Sequence, residues 1–275
     1  MQLSIITPSF RASNWLKLCI ASVADQEGVE VEHIVQDCCS DDGTLNWLPS
    51  DGRVTAFVEK DSGMYDAINR GLRRAKGDIC AYLNCDEQYL PGTLAKVEKF
   101  FSEHPEIDVL FGDMILVDIG ARPISYRRTI LPNLRHIQLA HLNTATCATF
   151  FRRRLLHQGF YFDSQWKSIG DAVWVESLLK AKIKMATLSE PLAVFTQTGQ
   201  NLGAAAISQA ETLRWRGSLR FPKLRSAGVV FWHRLRKALA GAYRSRCVEV
   251  EIFTLDSPEK RREKVGAVGF NWATN

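Results

Sequence analysis

Several features that assign a sequence to a common protein class are missing from this chain. No stretch of its 275 residues approaches the roughly 18 consecutive apolar residues of a membrane-spanning helix, so none is predicted. The G-x-G-x-x-G pattern of dinucleotide-binding domains and the G-x-x-x-x-G-K-[ST] pattern of P-loop proteins are both absent, which argues against those two classes. The opening segment, MQLSIITPSF, has no basic region followed by an apolar one, so no secretory leader is predicted.

A disulfide pattern is missing as well. The chain has seven cysteines, an odd number, and no C-x-x-C pair among them. In a chain long enough to bury its own core, such cysteines indicate reduced thiols in a cytoplasmic compartment. The adjacent Cys38 and Cys39 have no neighbouring histidines or cysteines at zinc-ligand spacing, so no metal site is predicted there.

What the sequence does contain is an uneven distribution of charge. Residues 1–211 carry 21 cationic and 25 acidic side chains, whereas residues 212–248 carry ten cationic side chains and no acidic one. A mildly acidic body with a basic segment suggests an anionic partner. The basic segment includes GVVFWHRLRKALAGAY, and aromatic and apolar residues among cations are typical of a helix on an anionic membrane surface.

Two other interpretations of residues 212–248 stay open. The segment would also suit a C-terminal helix that packs on the body and exposes its basic face. Basic tracts bind the phosphates of nucleic acids too. That interpretation is the least favoured, because the body is acidic and contains no recognised nucleic-acid module, so no nucleic-acid partner is predicted.

Apolar segments of strand length alternate with helix-length segments through the first half of the chain. QLSIIT, VEHIVQD, RVTAFVE and DICAYL are typical of strands, and the segments from Ser13 and over SGMYDAINRGLRRAKG have helical spacing. A further short helix is predicted over residues 44–48. This alternation predicts βαβ units and a parallel sheet. Because DVLFGDMILVD and PISYRRT follow as strands without a helix between them, the predicted fold class is α/β with a mostly parallel, partly mixed sheet.

Polar residues follow each of the four predicted parallel strands. They are Thr7, Ser9, Asp37, Glu59, Asp61, Asp86 and Glu87. In open α/β sheets, ligands bind outside the carboxyl ends of the strands. A rim rich in carboxylates suits a hard divalent cation that binds together with substrate phosphates. The sequence therefore predicts a metal–diphosphate site at this edge.

A structural interpretation of Asp86 and Glu87 stays open at this point. The pair follows the apolar run Ile79 to Leu83 in DICAYLNCDEQYLPG. A polar loop that caps the next helix, with Pro91 in its first turn, would also account for it. Adjacent carboxylates are costly to bury without a cation or hydrogen-bond donors, and their position at a strand end favours the metal site.

Four segments occur in the order of a known family: LSIITPSF, HIVQDCCSDDGT, EKDSGMYDAINRGLRRAKGD and AYLNCDE. Together they resemble the inverting glycosyltransferases of family 2, above all the members that build bacterial polysaccharides and lipid-linked glycans. The resemblance covers residues 3–92 and continues more weakly over residues 148–179. It implies a GT-A fold, which we expect over residues 1–210, followed by a basic helical extension over residues 211–275.

The resemblance also implies roles for individual residues. Those implied to bind the nucleotide sugar are Thr7, Ser9, Asp37, Asp61, Asp66, Asn69, Asn84 and Asp86. Asp37 would accept a hydrogen bond from the base, which favours uracil or thymine. The segment NCDE corresponds to the family's metal motif and implies Asp86 and Glu87 as ligands of Mg²⁺ or Mn²⁺. The family usually has an aspartate where this chain has Glu87, so the longer side chain departs from the pattern.

Direct displacement at an anomeric carbon requires a general base that takes the proton of the acceptor hydroxyl. In the family this base is an aspartate that opens a helix, which corresponds to Asp171 in GFYFDSQWKSIGDAVWVESLL. A carboxylate that interacts with the helix dipole is the structural alternative for Asp171, and Asp163 is the second candidate for the base. The resemblance places Asp113 near the sugar site and His141 in an acceptor segment, although a lone histidine is more often structural.

The resulting hypothesis is a metal-dependent inverting glycosyltransferase that moves one sugar from a nucleotide-diphosphate donor, with UDP favoured. The acceptor would be a hydroxyl of a glycan or of a polyprenyl-diphosphate-linked substrate at the cytoplasmic face of a membrane. A sugar nucleotidyltransferase and a catalytically inactive nucleotide-sugar-binding or scaffold protein are the alternatives. The Q-x-x-R-W motif of processive synthases is not identified, because Gln209 lies too far before Arg214 and Trp215.

Overall fold

The computed structural model describes residues 1–199, 206–217 and 223–269. The strands of these residues are β1 (Gln2–Ser9), β2 (Glu30–Asp37), β3 (Thr55–Val58), β4 (Ile79–Tyr82), β5 (Glu87–Tyr89), β6 (Val109–Asp118), β7 (Pro123–Arg127), β8 (Thr149–Arg152), β9 (Met185–Gln197), β10 (Arg246–Thr254) and β11 (Ser257–Val268). The α-helices are α1 (Ser13–Ala24), α2 (Met64–Arg74), α3 (Thr93–Glu103), α4 (Leu134–Leu139), α5 (Arg154–His157), α6 (Gly170–Lys180), α7 (Ala206–Gly217) and α8 (Lys223–Leu239).

Nine of these strands form one mixed sheet in the order β3-β2-β1-β4-β8-β6-β9-β5, with β7 paired to β6. β1 is parallel to β2 and to β4, and β2 is parallel to β3. β8 is antiparallel to β4 and to β6, and β5 is antiparallel to β9. The predicted mixed α/β sheet is therefore confirmed, although its nine strands form four parallel and four antiparallel pairs instead of mostly parallel ones. The carboxyl ends of β1, β2 and β4 meet at one edge.

Helices cover both faces of the sheet, which is why β4 is apolar and buried along its whole length. One core includes Ile68 of α2 and Val175 of α6, and the core on the other face includes Val23 of α1 and apolar side chains of α3. Gly71 allows α2 to lie against β1, because a Cβ at this position would lie 2.5 Å from Cγ2 of Ile6. The close packing of α2 places its amino end beside the carboxyl end of β1.

The C-terminal extension differs from the predicted helical segment. After α7 and α8, residues 246–268 form an antiparallel hairpin of β10 and β11. Val248, Val250 and Ile252 are buried and alternate with the exposed Glu249 and Glu251, a period of two that fits a strand and not a helix. The buried face of the hairpin joins a core with β6 and β7.

Three local expectations also differ in detail. Residues 44–50 form two short 3₁₀ turns instead of one helix. Glu87 begins the short strand β5, so it is not part of a helix cap. The following helix begins at Thr93, which places Pro91 in the turn before it.

All seven cysteines are unpaired, as the sequence predicts. None of the helices among the described residues combines the length and the apolar character that a membrane span requires.

Candidate active site

A cavity of about 750 Å³ opens at the carboxyl ends of β1 and β4, beside the amino ends of α2 and α6. Its volume falls in the range of small-molecule and cofactor sites. The polar residues in its wall are Ser9, Arg11, Cys38, Asp61, Asn84, Asp86, Thr146, Ser168, Asp171 and Thr198. The cavity therefore lies at the edge of the sheet where the sequence predicts a ligand site.

Asp37 shapes one side of this cavity from a fully buried position. Its Oδ2 accepts hydrogen bonds from the hydroxyls of Ser9 and Ser40, each at 2.8 Å, and its Oδ1 accepts the backbone N–H of Ser40 at 2.7 Å. Ser9 is in the cavity wall and Asp37 is not. A hydrogen bond from a nucleotide base to Asp37, as predicted, would have to share an oxygen with these internal donors.

Three other residues predicted to bind the nucleotide sugar lie outside the cavity wall. Thr7 is buried, with its Oγ1 2.9 Å from Nε2 of His33. Asn69 joins α2 to Phe162, because its amide donates to the Phe162 carbonyl at 2.6 Å and accepts the Phe162 N–H at 3.0 Å. Asp66 accepts a backbone N–H of the turn before α2 and pairs with an arginine of the same helix. The structure thus gives these three residues supporting contacts around the cavity, and their direct contact with the nucleotide sugar stays a prediction.

Asp61 belongs to the cavity wall and holds the turn that leads into α2. Its Oδ1 accepts the N–H of Gly63 at 2.8 Å. Gly63 has a φ of 128°, which disfavours any residue with a Cβ, and an added Cβ would lie 3.4 Å from Cδ of Lys167. The Lys167 ammonium donates to the carbonyl of Ser62, so a cation that the sequence analysis did not identify lies beside this turn.

The segment after β4 divides its polar groups between the cavity and the core. Asn84 and Asp86 are in the cavity wall, whereas Glu87 is fully buried and its Oε2 accepts the N–H of Asn84 at 2.8 Å. Burial, with a smaller contribution from the charge of Asp86, raises the pKa of Glu87 to about 8. Glu87 lies behind the cavity wall with its Oε1 buried and unpaired among the described residues, and its role as a metal ligand stays a prediction.

The oxygen donors at the cavity fit a divalent cation that is held jointly with a diphosphate. Asp86 supplies a carboxylate to the wall, and Oδ1 of Asn84 is buried without a hydrogen-bond partner among the described residues. Mg²⁺ prefers such oxygen ligands and typically binds one or two carboxylates together with substrate phosphates. The residues present therefore fit such an ion, and Asp86 stays the predicted protein ligand for Mg²⁺ or Mn²⁺.

Asp171 lies in the first turn of α6 and contributes to the cavity wall. The Tyr65 hydroxyl lies 3.3 Å from Oδ1 of Asp171 and accepts the Asp171 N–H at 3.1 Å, and this Oδ1 also accepts the N–H of Ala172 at 2.8 Å. Burial raises the pKa of Asp171 above its usual value, and the hydrogen bonds from Ala172 and Tyr65 oppose that change. A carboxylate with a raised pKa in a cavity wall is suited to accept a proton.

Glu211 of α7, which the sequence analysis did not identify, holds the segment before α6. Its Oε1 accepts the N–H of Lys167 at 2.7 Å, and its Oε2 accepts those of Ser168 and Ile169 at 2.9 and 3.3 Å. A carboxylate that accepts three backbone N–H groups stabilises the segment that carries them. Glu211 thereby fixes the backbone that leads directly to Asp171.

Arg214 and Trp215 extend this contact between α7 and the segment before α6. The guanidinium carbon of Arg214 lies 4.9 Å from the ring centroid of Trp166, and Trp215 packs against the core that includes α6. The spacing Glu211-x-x-Arg214-Trp215 is the Q-x-x-R-W pattern with glutamate in place of glutamine. The glutamate at position 211 is the sequence signal for this contact, and the pattern with glutamine at its first position does not detect it.

The two acceptor-site candidates and the second candidate for the base lie away from the cavity wall. Asp113 is fully buried and accepts the hydroxyl of Tyr126 and the N–H of Thr129, each at 2.7 Å. Asp163 accepts a backbone N–H within an exposed turn. His141 lies in a group of three histidines. The structure therefore does not place the predicted acceptor contacts of Asp113 and His141 in the cavity.

A mixed α/β sheet with a carboxylate-lined cavity at the ends of its parallel strands places this protein among α/β proteins that bind ligands at strand ends. The sequence model of glycosyl transferase family 2 matches residues 4–160, which is more than half of the chain. The chain belongs to glycosyl transferase family 2, as its motifs predict.

Two curated relatives match part of this chain in sequence. A PGL/p-HBAD biosynthesis glycosyltransferase of Mycobacterium tuberculosis is 35% identical over 119 residues, which cover 41% of this chain and 46% of that protein. The poly(ribitol-phosphate) beta-N-acetylglucosaminyltransferase TarS of Staphylococcus aureus is 23% identical over 218 residues, which cover 76% of this chain and 38% of TarS. The matched part of the chain thus spans less than half the length of these curated relatives.

Solved structures support the same architecture. S. aureus TarS 1–349 in complex with UDP-GlcNAc has a TM-score of 0.61 at 22% identity, and the match covers 82% of this chain and 69% of that chain. The mannosyltransferase PcManGT of Pyrobaculum calidifontis, in complex with GDP-Man and Mn²⁺, has a TM-score of 0.58 at 17% identity, covering 80% of this chain and 65% of that chain. At these identities the likeness establishes the fold, which confirms the predicted GT-A architecture.

Proposed function

We propose that this chain is a metal-dependent inverting glycosyltransferase that transfers one sugar from a UDP-sugar to a hydroxyl of a glycan or lipid-linked acceptor in bacterial polysaccharide biosynthesis. The observation that carries the proposal is a single cavity whose wall contains both Asp86, suited to bind a metal ion with a diphosphate, and Asp171, suited to accept a proton. Family membership supports the reaction class, and the TarS complex with UDP-GlcNAc supports the choice of donor.

Asp171 acts as the general base in this proposal. It accepts the proton of the acceptor hydroxyl while that oxygen attacks the anomeric carbon, and the bond to the diphosphate breaks on the opposite side of the sugar ring. The hydrogen bonds from Tyr65 and Ala172 orient the carboxylate. Its raised pKa makes it a stronger base than an exposed aspartate.

Asp86, with Asn84 beside it, would hold Mg²⁺ or Mn²⁺. When bound, the ion neutralises the charge of the leaving diphosphate. Asp61 and Ser9 in the wall are available to hydrogen-bond the nucleotide sugar. The fully buried Asp37 keeps the loop after β2 in the shape that borders the donor.

In this proposal the enzyme binds a polyprenyl-diphosphate-linked acceptor at the surface of an anionic membrane. The exposed side chains of α8 support this location. Phe231, Trp232 and Leu239 are 69%, 60% and 79% exposed, and Arg234 and Arg236 lie on the same helix. Exposed aromatic residues combined with cations suit the interface of an anionic bilayer. We infer a peripheral position on the cytoplasmic face.

Co-sedimentation with vesicles tests the membrane contact. The wild-type chain is expected to bind vesicles that contain phosphatidylglycerol more tightly than vesicles of phosphatidylcholine alone. The double variant Phe231→Ser/Trp232→Ser is expected to bind the anionic vesicles at least tenfold more weakly. Equal binding by the double variant would contradict the proposed contact.

Calorimetric titration with UDP, TDP and GDP, each with and without Mn²⁺ or Mg²⁺, tests the donor site. We expect metal-dependent binding of UDP, and its loss in Asp86→Ala. Metal-independent binding of UDP, or unchanged binding by Asp86→Ala, would contradict the proposed role of Asp86 as a metal ligand.

Turnover separates an enzyme from an inactive nucleotide-sugar-binding protein. Asp171→Asn should retain donor binding and lose transfer by at least 10³-fold, within the range typical of a missing acid–base group. The matched control is Asp163→Asn, which changes an aspartate outside the cavity and should leave transfer within about twofold of wild type. Equal activity in both variants would exclude Asp171 as the base.

A further inference from the structure

Three of the six histidines of the chain come together outside the cavity. His136 lies on α4, His141 follows that helix, and His233 lies on α8. One ring nitrogen from each can be chosen so that all three lie within 4.8 Å of one another. His136 and His233 are 97 residues apart in sequence, so their approach is produced by the packing of α8 on α4.

Several nitrogens of this group have no hydrogen-bond partner in the part of the chain that the structure describes. Nδ1 of His136 and both ring nitrogens of His233 are buried and unpaired among the described residues, and these two side chains are 1% and 4% exposed. Buried polar atoms in native proteins are nearly always satisfied, and leaving one unsatisfied is destabilising. Three such nitrogens at one place indicate a ligand that imidazoles bind.

The charges around the group restrict the ligand. The groups that face it from neighbouring elements are Arg127 of β7, Arg216 of α7, and Arg234, Arg236 and Lys237 of α8. Burial of His136 and His233 disfavours the charged form of both imidazoles. Neutral imidazole is the form that binds metal ions.

We propose that His136, His141 and His233 form a binding site for one late transition-metal ion, with Zn²⁺ as the favoured ion. Mg²⁺ and Ca²⁺ do not suit this site because they require oxygen donors. Imidazole ligands suit Zn²⁺, Cu²⁺ and Ni²⁺. Three histidines leave the fourth tetrahedral position of Zn²⁺ open. The exposed side of His141 gives that position access to solvent, and the surrounding cations favour an anion there.

Metal binding requires a rearrangement of two rings. His136 and His233 are stacked, with 3.4 Å between the ring centroids and 10° between the ring planes. Parallel stacked imidazoles cannot both direct a nitrogen at one ion, so the stack opens when the ion binds. The bound ion then joins α8 to α4 and fixes the helix that carries the exposed Phe231 and Trp232.

The site is independent of the proposed donor site, and the experiment keeps them apart. Tag-free, chelator-treated full-length Asp86→Ala protein is titrated with Co²⁺ and Zn²⁺ in the absence of nucleotide. We expect one ion per chain and, for Co²⁺, the visible absorption of a tetrahedral complex without a thiolate charge-transfer band. A thiolate band would assign the ion to cysteines and overturn the proposal.

Two variants in the same background complete the test. His141→Ala removes an exposed ligand without opening a core cavity, and it is expected to weaken binding at least tenfold. His157→Ala removes an exposed histidine of α5 and should bind like its parent. Absence of binding by the parent at an ion concentration of about 100 µM, or equal affinity in the two variants, would overturn the proposal.

Thermal unfolding of the parent and His141→Ala gives a second readout. A ligand that binds only the folded protein raises its Tm. Zn²⁺ at a tenfold molar excess should raise the Tm of the parent and leave that of His141→Ala unchanged, and an equal rise in both would count against the site.

Discussion

The pKa of Asp171 is set by its burial and by hydrogen bonds from neighbouring groups. Burial raises its pKa, while the hydrogen bonds from Ala172 and Tyr65 act in the opposite direction. Since a general base must be deprotonated to act, kcat/KM should fall as the pH drops through the pKa of this carboxyl. We expect that fall at a higher pH than the usual aspartate value of about 3.9.

Tyr65→Phe tests this assignment. The variant keeps the ring that packs against Phe162 and removes the hydroxyl that lowers the Asp171 pKa. The acidic limb of kcat/KM should therefore move to a still higher pH than in the wild type. A pH–rate profile of both proteins measures it. An unchanged acidic limb would show that Tyr65 does not act on the base, and a shift toward lower pH would contradict the predicted direction.

The buried His33 makes the stability of the folded chain depend on pH. It is 5% exposed, and burial lowers its pKa to about 3, whereas an unfolded histidine has a pKa of about 6.5. Below pH 6.5 the unfolded chain binds a proton that the folded chain does not. This group therefore lowers the free energy of unfolding as the pH falls from 6.5 toward 3, by up to about 1.4 kcal/mol per pH unit.

The measurement compares wild type with His33→Gln by urea unfolding at pH 7 and pH 5. The free-energy difference between the two proteins should change by about 2 kcal/mol over this interval, in the direction that favours the variant at pH 5. His157→Gln, an exposed histidine, serves as the control. A parallel decline in wild type and His33→Gln would contradict the prediction.

At the scale of elements, α7 and α6 are joined through Glu211. Glu211→Ala leaves three backbone N–H groups before α6 without their acceptor. We expect the free energy of unfolding to fall by roughly 2 kcal/mol and kcat to fall at least tenfold, because the start of α6 positions Asp171. Donor binding, measured by calorimetry, should change less than kcat.

Glu211→Gln is the matched variant for this prediction. A glutamine retains one acceptor oxygen, so its kcat and stability should lie between those of wild type and Glu211→Ala. If Glu211→Ala lowered stability and left kcat unchanged, the residue would have a structural role only.

The elements themselves were largely predictable, because their signals are local. The apolar run of β4 and the helical spacing of α2 follow from short-range periodicity, and the cavity lies where strand ends of a parallel sheet meet. The inward positions of Glu87 and Thr7 were not predictable, since a strand end alone does not show which side chains enter the cavity. Glu211 and His233 reach their partners only through long-range packing.

At the scale of the whole molecule, the hairpin of β10 and β11 is part of the core. Val250 is 2% exposed and shares a cluster with Ile115 of β6 and Tyr126 of β7, whereas Val265 in the same hairpin is 59% exposed. Val250→Ala should lower the free energy of unfolding by about 2 kcal/mol. Val265→Ala should change it by less than about 0.5 kcal/mol.

Urea unfolding followed through the fluorescence of the body measures both variants. A single transition that shifts with Val250→Ala would show that the hairpin and the catalytic sheet unfold together. Two separate transitions, with only the minor one sensitive to Val250→Ala, would show that the hairpin is an independent unit, in agreement with the predicted boundary at residue 210.

The position of the hairpin also bears on how the chain is made. Gln88 of β5 exchanges two hydrogen bonds, each of 2.9 Å, with the backbone of Phe253, so the strand beside the donor cavity is held by a residue synthesised 165 positions later. When residues 3–92 have emerged from the ribosome, the hairpin of β10 and β11, which packs on β6 and β7 of the same sheet, has not yet emerged. The nascent chain therefore exposes the apolar side chains of β6 and β7 until residue 268 has emerged, and we expect chaperones to bind the newly made protein during this interval.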